Sequence, residues 1–120
     1  MKVTNGEIRL MREALQKLNA LRIPVSVSFR LAKMANRVNI CFQDMEIVRL
    51  NLVNQYGVKG ADGNTNVDLA PIEERVKFWK DFTELLNQEV EIEDFEPVKL
   101  PETLEVEPSV LMPLEKFIEV

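Results

Sequence analysis

The stretch Leu31–Leu52, "LAKMANRVNICFQDMEIVRLNL", decides the fold. Leu31, Met34, Val38, Cys41, Met45, Val48 and Leu52 recur at alternating steps of three and four. That is the seam of a long amphipathic helix of coiled-coil type. Ala35, Phe42 and Tyr56 lie beside the seam, whereas Ile40, Ile47 and Leu50 fall off it. Ser26 or Ser28 is placed to cap this helix and Gly57 to end it. The spacing therefore predicts a helix from about Phe29 to Tyr56, roughly 28 residues and about 42 Å long.

Upstream, Thr4 and Glu7 have capping-box spacing. Ile8, Met11, Leu15 and Leu18 follow at helical intervals, widened by Leu10, Ala14 and Leu21. Pro24 stops that shorter helix, because the residue before a proline is pushed toward extended geometry. Downstream, a third helix is predicted from about Leu69 to Gln88. It presents Ile72, Val76, Trp79, Phe82 and Leu86, with Phe78 and Leu85 alongside. The aromatic group Phe78, Trp79 and Phe82 reads as core, or else as an anchor at an interface.

After Gln88 the period changes. Val90 and Ile92 alternate with glutamates, as in a short strand. Val98/Leu100 and Leu104/Val106 alternate again between prolines, which suits a two-stranded ribbon or an extended arm laid along the helices. Ser109 is placed to cap a last short helix carrying Leu111, Leu114, Phe117 and Ile118. The predicted fold is mainly α: a long antiparallel helical hairpin and a shorter N-terminal helix, with an extended acidic C-terminal arm of short strands and a short terminal helix. The 120 residues read as one domain, with residues 5–88 as helical core and 89–120 as the arm.

Charge is lopsided within a net −5. Residues 1–60 hold ten Lys/Arg against four Asp/Glu, and residues 81–120 hold two against twelve. Such asymmetry predicts either a tail that folds back on the basic half or an end that meets a charged partner. There is no histidine and only one cysteine, Cys41. That excludes Ser–His and Cys–His nucleophile pairs and zinc sites built on His or several Cys. Cys41 lies on the apolar seam and reads as a buried small hydrophobe. The start "MKVTNGEIRL" has no hydrophobic core behind its lysine, and no apolar run approaches the ~20 residues of a membrane span. These features predict a cytoplasmic protein without membrane contact.

Three patterns could carry chemistry. In Gly60–Glu74, "GADGNTNVDLAPIEE", Asp62, Asn64, Asn66, Asp68 and Glu73 nearly match a calcium loop. Val67 stands where that loop needs glycine, so the stretch reads as a turn and linker, with Asp68 a plausible cap. Arg30, Lys33 and Arg37 share one helix face. They could grip phosphates, or they could be solvated or pair with the acidic tail. Glu89, Glu91, Glu93, Asp94 and Glu96 form either a solvated face, a partner for the basic helix, or an acidic surface toward a basic partner. No metal or cofactor is predicted.

The phrases "IPVSVSFRLAKMANRV", "NQYG", "DGN", "FTELLNQEVEIEDFEPVKL" and "PLEKFIEV" together resemble small proteins of unknown function encoded by tailed phages and prophages. The resemblance implies a phage or prophage origin and a helical hairpin with a tail, and it brings no active-site residues. The expectation is a non-enzymatic interaction protein that self-associates through its long helices, packed by Leu31, Val38, Met45, Leu52, Ile72, Val76 and Trp79. A phage or host protein would be its further partner. The alternatives are nucleic-acid binding through Arg30, Lys33 and Arg37, and inhibition of a host defence or transcription enzyme through the acidic arm.

Overall fold

A computed structural model describes residues 1–119. The elements run β1 (Lys2–Thr4), α1 (Asn5–Asn19), α2 (Val25–Tyr56), β2 (Val58–Lys59), β3 (Thr65–Asn66), a 3-10 turn at Val67–Leu69, α3 (Ile72–Asn87), β4 (Glu89–Glu91), β5 (Val98–Lys99), α4 (Pro108–Leu111), a second 3-10 turn at Met112–Leu114, and β6 (Ile118–Glu119). The fold is mainly α, with a long helix, a shorter N-terminal helix and a few short strands.

The chain forms two compact units. The first joins residues 1–42 to 89–120, and the second is 43–88. One cut thus falls where composition changes, at 88/89. The other falls inside α2, which the sequence seam runs through without interruption.

In the first unit, Thr4 opens α1 with the expected capping box, its side chain accepting from the Glu7 N–H while Glu7 reaches back to the Thr4 backbone. Ile8, Met11, Leu15 and Leu18 are buried, as their spacing requires. Leu31, Met34 and Val38 of α2 close over the same core at 0 % exposure. The C-terminal segment supplies the rest: Ile92, Val98, Leu100, Val110, Leu114, Phe117 and Ile118 are all buried in this core. Residues 89–119 are therefore not an arm laid outside a finished helical core; seven of the sixteen buried residues of that core are theirs.

The strand pairings differ from the predicted ribbon. β4 pairs antiparallel with β1, Val90 opposite Val3. β5 pairs in parallel with β6, Val98 opposite Ile118. Leu104 and Val106 pack half-buried on the core without forming a strand. Pro101 has no N–H to give a ladder, and its carbonyl instead accepts from Leu104 in a turn. The terminal helix is also shorter than predicted. Glu107, not Ser109, holds the capping position, and Pro108 sits in the first turn. Pro113 tightens the next turn to 3-10, so Phe117 reaches the core from a turn, its N–H bonded to Leu114 O, and Ile118 from extended chain.

In the second unit, α3 packs Phe78 and Phe82 with Val67 against Leu52, Val53 and Tyr56 of α2. The β2–β3 hairpin between them pairs Val58 with Asn66. Helix bounds differ by a turn from expectation. α2 begins at Val25 because Ser28 N–H already bonds Pro24 O at 2.9 Å, so Ser26 and Ser28 lie inside the helix. At 32 residues it is about 48 Å long. α3 begins at Ile72, after Pro71, whose carbonyl accepts from Glu74 and Arg75.

Candidate interaction faces

The near-calcium loop is closed by its own hydrogen bonds. Asp62 accepts from the Asn64 backbone N–H at 3.0 Å and from its side-chain amide at 3.2 Å. The Asn64 backbone bond is the largest cause holding the Asp62 carboxyl below its ordinary value. Asn66, not Asp68, provides the cap, accepting from Asp68 N–H at 2.8 Å. Gly63 takes the left-handed conformation, φ +82°, that this turn needs. Among the described residues no group of three or more carboxylate or thiol side chains is placed to hold a metal ion.

The basic and acidic stretches meet in the first unit. Arg37 Nε lies 3.3 Å from Glu93, and Arg30 lies 3.8 Å from Glu96. Lys33 stands 5.5 Å over the Phe29 ring. Glu91 and Asp94 each approach the Met1 amino group at 3.3 Å, and that group also donates to Ile92 O. The Asp94 hydrogen bond, as the largest cause, raises the amino group above its ordinary pKa. Glu89 sits opposite Thr4 in the β1–β4 ladder. Of the three readings open to each stretch, the geometry supports mutual pairing. These are exposed ion pairs, which water and salt screen, so each contributes little to stability.

The apolar seam divides in a way that periodicity did not separate. Leu31, Val38 and Met45 are buried within the chain and are closed to a second copy, and Leu52 is half-buried. Val48, on the same seam, is exposed. In α3 the buried side is Phe78 and Phe82, whose rings stack with centroids 5.7 Å apart. Trp79 is not core: it is 55 % exposed, edge-on to both phenylalanines. Ile72 and Val76 are exposed beside it, at 68 % and 63 %. Two apolar faces therefore overlap on one helix, and the sequence reading merged them. The i, i+4 pair Phe78/Phe82 was the available signal for the inner face.

Unit 2 exposes more large apolar side chains than it buries. Ile47, Val48, Leu50, Val58, Leu69, Ile72, Val76 and Trp79 are exposed; its buried apolar residues are Met45, Val67, Ala70, Phe78 and Phe82. In unit 1 the balance is reversed, with sixteen buried and six exposed among the described residues. Isolated exposed apolar residues are ordinary, but a unit that cannot cover its own helices is not. Tyr56 and Asp81 link α2 to α3 by an O–H···O bond of 2.6 Å, and that bond is the main cause raising the phenol above its usual pKa. Arg49 donates to Glu46 within α2.

No helix among the described residues is long and apolar enough to cross a membrane. Comparison with protein-family models, curated proteins and solved structures finds no match.

Proposed function

We infer that this chain is a non-enzymatic interaction module that associates with copies of itself through residues 43–88. The observation that carries the reading is the surplus of exposed over buried large apolar side chains in that unit. Association would remove this surface from water, the main favourable term in most protein–protein contacts. Of the residues the seam nominated, Ile72, Val76 and Trp79 remain available, and they carry the proposal; Leu31, Val38 and Met45 serve the chain's own packing.

The resemblance to phage and prophage proteins extends the proposal to a phage assembly intermediate or a host factor as a further partner. Nucleic-acid binding by Arg30, Lys33 and Arg37 is less favoured, because Glu96 and Glu93 already occupy two of the three charges. The same pairs, with Glu91 and Asp94 at the Met1 amino group, weigh against an inhibitor acting through the acidic segment.

Trp79 is the only tryptophan and gives a direct test. Its emission should be that of a solvent-exposed indole in dilute protein and should shift to the blue as concentration rises, in step with sedimentation mass. Constant emission and constant monomer mass across the concentration range would overturn the reading.

A further inference from the structure

We propose that the outer face of α3 is a two-fold antiparallel dimer interface, in which α3 of a second copy sets its Val76 against Trp79 of the first and its Trp79 against Val76. The proposal rests on the self-association reading and specifies its surface and register.

The first support is the pattern of the stripe. Ile72, Val76, Trp79 and Thr83 follow at steps of four, three and four, so the order of spacings is the same from either end, about a point between Val76 and Trp79. A two-fold interface needs a surface complementary to itself, with residue i meeting j and j meeting i. In an antiparallel pair centred at that point, Val76 meets Trp79 and Ile72 meets Thr83 of the second copy, each contact occurring twice. Small side chains then face large ones, which lets the layers interdigitate.

The second support is charge. Glu73 and Lys80 lie along one flank of the stripe, both exposed, and neither pairs with a described residue. They are two helical turns apart, about 10 Å along the axis, too far to meet within one copy. In the antiparallel register, Glu73 of each copy comes on the same flank as Lys80 of the other, offset by two residues or about 3 Å along the axis, close enough for two opposite-charge pairs. A parallel arrangement would bring Arg75 beside Lys80 of the second copy, like against like.

The third support is size. Leu69, Ile72, Val76 and Trp79 are 57, 68, 63 and 55 % exposed. With on the order of 100 Å² for an aliphatic side chain and ~200 Å² for an aromatic one, the three apolar residues of the stripe together with Leu69 of the preceding 3-10 turn offer about 300 Å² of apolar surface per copy. Interfaces are about 60 % apolar, so two copies would bury about 1,000 Å² in total. That is the lower edge of specific association, the size class of weak and transient complexes. The dimer is therefore concentration-dependent and exchanges quickly.

A charge-swap cycle tests the register. Sedimentation velocity over a concentration series would compare the wild-type chain with Lys80→Glu, Glu73→Lys, the double swap, and Trp79→Ala. Each single swap turns two attractive pairs repulsive and should weaken the dimer by about tenfold. The double swap should restore it to within about twofold, and Trp79→Ala should abolish it. These side chains are exposed, and helical circular dichroism checks that each variant is folded. A dimer that persists unchanged in Lys80→Glu and Trp79→Ala overturns the α3 register while leaving self-association standing. A wild-type chain that stays monomeric at every concentration overturns both.

Discussion

Replacing Phe117 by alanine tests whether residues 89–120 belong to the core. Phe117 is 1 % exposed. Its ring meets Phe95 edge-to-face with centroids 6.3 Å apart, and its carbonyl accepts from Val98 N–H at 2.8 Å. Truncating a buried phenylalanine costs ~3–5 kcal/mol, of which about 1 kcal/mol belongs to the aromatic pair. A unit of roughly 70 residues has a total stability of about 4–10 kcal/mol. The substitution should therefore remove a third or more of it. With a urea slope of about 1–2 kcal/mol/M, the midpoint followed by helical circular dichroism should fall by about 2 M or more. Phe29→Ala is the control, the same change at a 63 % exposed position in the same unit, and it should stay within ~0.5 kcal/mol of wild type. If the two variants unfold together near the wild-type midpoint, the C-terminal segment is not packed as described.

Two further outcomes follow from the second unit. A Cβ at Gly57 would lie 2.5 Å from Val53 O and 2.7 Å from Thr65 Cγ2, so Gly57→Ala should lower thermal stability by about 1–3 kcal/mol as the hairpin gives way. Tyr56 is the only tyrosine, so its phenol can be titrated directly by ultraviolet absorbance. The midpoint should lie above the ordinary phenol value, and Asp81→Asn should bring it back. Because the folded value is raised, this bond's contribution is complete below the ordinary phenol pKa and is lost as pH rises through the folded one. A midpoint unmoved by Asp81→Asn would refute the link.

Local signals were read well where one neighbour decides the outcome. The Thr4–Glu7 capping box and the end of α2 before Gly57 are each set by backbone chemistry within a few residues, whereas α1 ends at Asn19, ahead of the stop expected from Pro24. The α1 stripe was legible because a single core receives it. α3 was less so: its apolar arc exceeds what one neighbour covers, and spacing alone cannot say whether Phe78 or Trp79 turns inward. Strand pairing was least legible. Val98 finds Ile118 and Val3 finds Val90 across long separations, and two or three extended residues carry too little period to name a partner. The charge imbalance did foreshadow the meeting of Arg30 and Arg37 with Glu96 and Glu93.

The interrupted first unit also sets an order of events during synthesis. When residues 43–88 leave the ribosome, Ile8, Met11, Leu15 and Leu31 still lack Val98, Val110 and Phe117, which arrive last. The hairpin of α2 and α3 can form from local contacts while the earlier core waits half-covered. Contacts so distant along the chain form slowly and leave greasy surface open meanwhile. Nascent chains arrested near residue 90 should be the aggregation-prone species, and chains extended past residue 118 should be free of that hazard.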